Sequence, residues 1–299
     1  MKMINNAIVK LVKALPENIV YVFAKKYISG TKLEDAVRVT KELNEKGIYT
    51  TIDVLGEAIT QKEEAVAAKD EVLKVLDAIE EHKLKANVSI KPTQFGLAFD
   101  VELAHSLIEE IIQKAKSYNN FVRIDMEDSP YTQKTIDMYI KFKEKYDNVG
   151  IVLQAYLRRT LDDVKKLNAI GTNYRLCKGI YVEPEEIAYK DRQEIRDNYV
   201  KALELMLSNG NYVGIATHDK YLIDEAYRLI KEKNIDKDKF EFQMLYGVTE
   251  HLRDMINNDG YKIRVYVPFG EHWYYYSVRR LQENPQVAWY ITKSIFKLN

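Results

Sequence analysis

From about residue 48 the chain alternates short, densely apolar runs with longer stretches whose apolar positions recur every three or four residues. The short runs are Ile48–Leu55, Ala86–Lys91, Phe121–Met126, Val149–Tyr156, Tyr174–Tyr181, Tyr212–Thr217, Phe240–Leu245 and Lys262–Val267. They are rich in Val, Ile and Tyr and too short for helices, so they read as strands buried on both faces. The longer stretches carry helix punctuation. Thr60-Gln61-Lys62-Glu63 reads as a capping box ahead of Ala65–Ile79. Asp100 stands where it caps a helix running through Ile112, and Ser129 reads as an N-cap with Pro130 at the first helical position. Gly47, Gly171 and Gly210 fall where helices should end.

Eight strands alternating with helices in one array predict an α/β fold, the (β/α)8 TIM barrel. An open doubly wound sheet is the alternative, and the absence of G-x-G-x-x-G after any strand weakens its dinucleotide-binding version. Ahead of the barrel, residues 1–46 read as two or three helices forming a helical arm. Ile4, Ile8, Leu11, Val12 and Leu15 give the first an apolar stripe, suited to packing on the barrel or, on a sharper reading, to a membrane surface. The barrel unit takes 47–299 and includes an amphipathic C-terminal helix at about Val287–Phe296.

Composition narrows the class further. A chain of 299 residues suits one barrel. Lys+Arg and Asp+Glu are 45 each, so no general electrostatic footprint for nucleic acid is present. The single cysteine, Cys177, excludes an intramolecular disulfide and a cysteine-rich metal site, and fits the reducing cytoplasm. No apolar run approaches the roughly 20 residues of a spanning helix. Lysines interrupt the short N-terminal apolar stretch, which argues against a signal peptide.

Barrel enzymes build their sites at the C-terminal strand ends, and this chain concentrates its unusual residues there. The successive ends carry Asp53 and Glu57, Ser89 and Lys91, Arg123, Asp125 and Glu127, Gln154, Arg175 with Lys178, Thr217-His218-Asp219, Gln243, and Arg264 with Tyr266. Burying unpaired charge is expensive, so polar groups at nearly every strand end predict a functional pocket. Beyond the last strand, Tyr276, Arg279, Arg280 and Glu283 share one helix face at i, i+3, i+4 and i+7. Two adjacent guanidiniums call for an anion, and arginine suits two-pronged recognition of a carboxylate. Taken by itself the segment reads equally as a solvated helix face with an i, i+4 Arg–Glu pair.

With those residues assembled, the chain resembles the proline dehydrogenases, in particular the monofunctional bacterial form. The resemblance rests on Val88–Lys91, Val122–Glu127, Gln154-Ala155-Tyr156, Arg175–Gly179, Ala216-Thr217-His218, Glu241–Gly247, Arg264–Pro268 and Tyr276–Asn284, which follow the family's order over about residues 48–285. It implies a distorted barrel that holds FAD without a Rossmann domain. It also implies oxidation of L-proline to Δ1-pyrroline-5-carboxylate, with hydride passing from C5 to flavin N5 and electrons passing on to a membrane quinone. Peripheral contact with the inner face of the cell membrane follows from the quinone.

Carried residue by residue, the resemblance places Lys91, Arg279 and Arg280 on the substrate carboxylate, with Glu57 and Glu283 balancing their charge. Tyr266, Tyr276 and Leu245 wall the ring, and Asp125 holds Lys91 or Tyr266. Gln154, Gln243 and Arg175 lie at the flavin ring system. Lys178, Thr217 and His218 meet the ribityl, phosphate or adenine portions, and Gly179 lets backbone approach the cofactor. Met126, Leu245 and Glu283 also fall at the cofactor. Cys177, Ile180 and Asp219 depart from the family's usual Val, Ala and Asn along the cofactor path. Asp219 is expected to weaken FAD binding or alter its pose, and Cys177 to be a buried apolar residue. The rivals are a Schiff-base aldolase using Lys91 or Lys178, a non-catalytic ligand-binding barrel and, more weakly, a metal-dependent hydrolase at His218 and Asp219.

Overall fold

The computed structural model describes residues 20–21, 24–56, 59–274 and 276–277. The sequence-predicted Glu57, Arg279, Arg280 and Glu283, the first apolar stripe and the C-terminal helix lie outside these residues. In order, the described elements are α1 (Leu33–Glu45), β1 (Tyr49–Val54), α2 (Lys62–Glu81), β2 (Ala86–Ile90), a 3-10 turn (Pro92–Phe95), α3 (Val101–Ser117), β3 (Val122–Ile124), α4 (Ser129–Lys143), β4 (Val149–Gln154), α5 (Thr160–Asn168), β5 (Tyr174–Cys177), α6 (Arg192–Ser208), β6 (Val213–Ala216), α7 (Lys220–Glu232), β7 (Phe240–Leu245), α8 (Glu250–Asn258) and β8 (Ile263–Phe269). The eight strands form one closed parallel barrel in sequence order. It closes through β8 on β1, where Tyr49 pairs with Arg264 and Val54 with Phe269.

Every predicted run contains a strand. The helix starts are displaced by a residue where two caps compete. The N-cap of α2 is Gln61, and Glu64 returns its side chain to the Thr60 and Gln61 amides at 3.1 and 3.3 Å. The N-cap of α4 is Asp128, because the Ser129 hydroxyl donates instead to Glu183 Oε2 at 2.6 Å. Asp100 caps α3 as expected, accepting from the Leu103 amide at 2.9 Å. Gly47, Gly171 and Gly210 each take positive φ, at 77°, 63° and 78°.

Register divides the residues of each strand between two environments. Ile52, Val88, Ile90, Ile124, Ile151, Leu153, Leu176, Ile215, Phe242, Val265 and Val267 are buried in one core with the helices, and α1 joins it through Ala36, Val39 and Leu43. Each such side chain contributes about 1.5–3 kcal/mol, against about 1 for a helix cap, so this packing dominates the helix caps. The alternate positions face the barrel axis, as the bonds between non-adjacent strands described below require. They include Thr51, Asp53, Ser89, Arg123, Gln154, Arg175, Glu241, Gln243, Arg264 and Tyr266. Glycines make room for this polar filling. A Cβ on Gly150 would stand 2.4 Å from Arg123 Nη1, and one on Gly214 would stand 2.4 Å from Gln243 Nε2.

Candidate active site

The polar interior is built from the lower end upward. On β7, the Glu241 carboxylate accepts from Arg264 Nε at 2.6 Å and Nη2 at 3.1 Å. Arg264 also donates to the Thr50 carbonyl at 2.7 Å. Burial works to raise Glu241, but Arg264, Lys262 and Gln243 outweigh it and hold the carboxyl at about 2. Nearby, Arg123 donates to the Asn173 carbonyl at 2.7 Å. Burial and the Arg175 charge pull its pKa down to about 9.

Arg175 spans the next level. Its Nε donates to Gln243 Oε1 at 2.5 Å, and Gln243 Nε2 donates to Glu241 Oε1 at 2.7 Å. Nη1 reaches across to Ser89 Oγ at 3.1 Å and Asp125 Oδ1 at 2.7 Å. The guanidinium lies 5.3 Å from the centre of the Tyr266 ring. Asp125, just past β3, thus joins three strands, since Ser89 Oγ donates to Oδ1 at 2.7 Å and Tyr266 OH donates to Oδ2 at 2.8 Å.

At the strand ends, Lys91 Nζ donates to Asp53 Oδ1 at 2.6 Å and lies 3.4 Å from Tyr266 OH. The expectation that Asp125 holds Lys91 or Tyr266 resolves in favour of Tyr266. Lys91 instead takes Asp53, a residue the sequence reading left out of the site. Burial works to lower the Lys91 pKa, but Asp53 and Asp125 outweigh it and raise it. A lysine held charged is a poor Schiff-base nucleophile, which must shed its proton. Burial and the facing carboxylates drive the Tyr266 phenol well above its ordinary value.

Beside this cluster, Gln154 is buried and donates to the Glu127 carbonyl at 2.9 Å. Glu127 accepts from the Thr93 amide at 2.9 Å and from its hydroxyl. Met126 is buried. Leu245 pairs in register with Tyr266. Tyr276 packs with Leu55, Tyr27 and Ile28. His218 locks the Leu245 loop: Nε2 accepts from the Leu245 amide at 3.0 Å, so Nδ1 carries the hydrogen offered to Thr249 Oγ1 at 2.7 Å. Thr217 Oγ1 accepts from the Asp219 amide at 3.1 Å.

The third region gathers cations around one carboxylate. Asp219 accepts from Arg196 at 2.8 and 3.0 Å and from Lys178 at 3.3 Å, with Arg192 3.6 Å away. Burial works to raise it, but Arg196 and Lys178 hold the carboxyl at about 2. The Asp219 charge, expected to weaken FAD binding or alter its pose, is neutralised among the described residues, with cations in excess. Lys178 remains 39% exposed at its side chain and Ile180 50% exposed. Gly179 has φ +105°, and a Cβ there would stand 2.0 Å from the Tyr156 ring, so Tyr156 is the neighbour its missing side chain admits. Burial pushes the Cys177 thiol up to about 12, which fits an inert residue.

Asp53, Ser89, Glu127, Arg196 and Thr249 were absent from the sequence-predicted site. Asp53, Ser89 and Glu127 were visible as polar groups at strand ends, whereas Arg196 on α6 and Thr249 at the start of α8 gave no such signal. Among the described residues, no group of three or more His, Cys, Asp or Glu is arranged to hold a metal. No described helix is long and apolar enough to cross a membrane.

Comparison with known proteins accords with this geometry. The chain is 39% identical to proline dehydrogenase 2 of Bacillus subtilis over 276 residues, covering 92% of this chain and 91% of that protein. It is 35% identical to the proline dehydrogenase of Deinococcus radiodurans over 279 residues, covering 92% of this chain and 90% of that protein. The fold matches the crystal structure of proline utilization A (PutA) from Bdellovibrio bacteriovorus, inactivated by N-propargylglycine, with TM-score 0.82 and 27% identity. That match covers 88% of this chain and 33% of the longer protein. The proline dehydrogenase family pattern matches residues 36–291, and the chain belongs to the proline dehydrogenase family.

Proposed function

We propose that this proline dehydrogenase uses FAD to oxidise L-proline to Δ1-pyrroline-5-carboxylate and passes the electrons to a membrane quinone. The observation that carries the reading is the linked set Lys91, Tyr266, Asp125 and Arg175 at the barrel mouth, tied by bonds of 2.7 to 3.4 Å. It offers a charged ammonium for a carboxylate, a phenol ring for an apolar ring, and a guanidinium for anionic charge beside them. Arg279 and Arg280 complete the carboxylate grip in this reading, and Glu57 and Glu283 balance them. α1 (Leu33–Glu45) shares the barrel core through Ala36, Val39 and Leu43, so the catalytic unit takes in α1 as well as the barrel, and the division at 46 and 47 shifts toward the N-terminus.

The donor set suits the cofactor. A dinucleotide carries a pyrophosphate, and Lys178, Arg192 and Arg196 exceed the single Asp219 carboxylate they surround. The partly open Ile180 offers an apolar surface, and Arg175 offers a cation for the flavin end. When bound, FAD supplies the acceptor for the hydride lost from C5. The protein's part is position and electrostatics. Lys91 fixes the carboxylate, Tyr266 and Leu245 bound the ring, and Asp125 holds Tyr266 in place. Loss of hydride from C5 and of the amine proton leaves the C5=N double bond of the product. A neutral amine needs no strong base, so Asp125 serves as an organiser. Transfer to a quinone places the cytoplasmic protein against the inner face of the membrane, with its amphipathic terminal segments as candidates for the contact.

The direct test is a visible spectrum of the purified protein before and after anaerobic L-proline. Flavin bands near about 450 nm that bleach support the reading. Bands that persist keep a flavoprotein and discard this electron transfer. A colourless protein that stays colourless after FAD is added overturns the cofactor assignment.

Ring selectivity gives a second test. Tyr266→Ser removes the phenol beside Leu245 and is expected to reduce discrimination against 4-hydroxyproline by about tenfold, the scale of a small steric pocket change. The ratio of the two kcat/KM values is the readout. An unchanged ratio removes Tyr266 from the ring wall.

A further inference from the structure

Among the described residues, Lys91 has one direct carboxylate partner. Asp53 is fully buried at the end of β1, and its Oδ1 lies 2.6 Å from Lys91 Nζ. Its other oxygen, Oδ2, is buried and has no hydrogen-bond partner among the described residues. Asp125, a second nearby carboxylate, is committed to Arg175, Ser89 and Tyr266. We propose that Asp53 is the positioning residue of the substrate site, drawing the Lys91 ammonium toward β1 and holding it there as a fixed cation for the substrate carboxylate. This rests on the reading of Lys91 as a carboxylate anchor. Asp53 itself touches no reacting atom.

A buried ammonium keeps its proton only if nearby negative charge outweighs the cost of burial. Among the described residues, the charged and titratable groups facing Lys91 are Asp53 from β1, Asp125 and Glu127 beyond β3, and Tyr266 from β8, with Arg175 from β5 behind Asp125. Asp53 is the strongest of the influences that keep the charge on Lys91. Without Asp53, only Asp125 and Glu127 among the described carboxylates oppose the burial, and the lysine is expected to become neutral at a lower pH.

The test uses the holoenzyme and cyclopentanecarboxylate, which keeps proline's ring and carboxylate but has no amine to titrate or oxidise. In the parent enzyme its inhibition constant against proline should stay level between about pH 7 and 10. In Asp53→Asn it should weaken at least about tenfold toward the upper end of that range, as Lys91 loses its proton. Asp53→Asn combined with Lys91→Arg, whose guanidinium stays charged, should restore a level profile. A level profile in Asp53→Asn alone, or a pH-dependent loss that Lys91→Arg leaves in place, overturns the proposal.

A melting comparison needs no turnover, so it also separates failure of this idea from failure of the proline reading. Lys91→Met leaves Asp53 buried without its cation. Adding Asp53→Asn to that variant should raise the melting temperature, because the uncompensated charge is gone. A double variant that melts below Lys91→Met overturns the pairing even if Asp53→Asn alone fails to fold.

Discussion

Asp125→Ala is expected to lower kcat/KM for proline by at least about a hundredfold and unfolding stability by about 3–5 kcal/mol, the scale for removing one partner of a buried ion pair. Asp125 accepts from Arg175 at 2.7 Å, Ser89 at 2.7 Å and Tyr266 at 2.8 Å. Its loss leaves the buried Arg175 guanidinium without a carboxylate and frees the Tyr266 phenol to turn. Small displacements of groups that position a substrate are costly, because orientation supplies much of the rate. Asp125→Asn separates the two effects. It keeps the acceptor for Tyr266 but removes the charge facing Arg175, so kcat/KM should recover part of the loss and stability less. Steady-state kinetics and urea unfolding on both variants check this. Equal activity in the parent and Asp125→Ala would remove Asp125 from the site.

Glu241→Gln is expected to cost a similar 3–5 kcal/mol, again the buried-pair scale, with a smaller direct effect on the chemistry. Glu241 lies at the lower level of the barrel, where Arg264 Nε at 2.6 Å and Lys262 at 3.3 Å are left with a neutral amide. The acid side gives a sharper signature. The Glu241 carboxyl sits at about 2 in the folded protein against an ordinary 4.5. A depressed value favours folding above the ordinary value, and that contribution disappears as pH falls from 4.5 to about 2. At about 1.4 kcal/mol per pH unit the span is worth about 3 kcal/mol. Urea unfolding across this range should therefore show a flatter dependence in Glu241→Gln than in the parent. Parallel curves would mean that Glu241 is not ionised where the barrel holds it.

Much of the fold was legible because strands and helices print different periods on the chain. Phe240–Leu245 matches β7 at both ends. β5 stops at Cys177, short of the predicted Tyr181, since the backbone turns at Gly179, where φ is +105°. β8 runs on to Phe269, past the predicted Val267, because barrel closure pairs Phe269 with Val54. The caps of α2 and α4 moved by one residue because Glu64 and Glu183 competed for the local donors.

The site was legible as a set of positions and not as a set of pairs. Lys91, Asp125, Arg175, Gln243 and Tyr266 meet in the barrel because they stand near or just past the C-terminal ends of their strands, where polar residues interrupt otherwise apolar runs. Local pattern therefore sufficed for the class of fold, the order of its elements and the end at which chemistry gathers. The choice of partners did not follow from it. Lys91 takes Asp53, Asp125 takes Arg175 and Tyr266, and Asp219 is neutralised by Arg196 from α6. Each pairing joins residues 23 to 141 positions apart, and each depends on how the eight strands are staggered when the barrel closes. That stagger belongs to the closed sheet as a whole, so no single strand's sequence carries it.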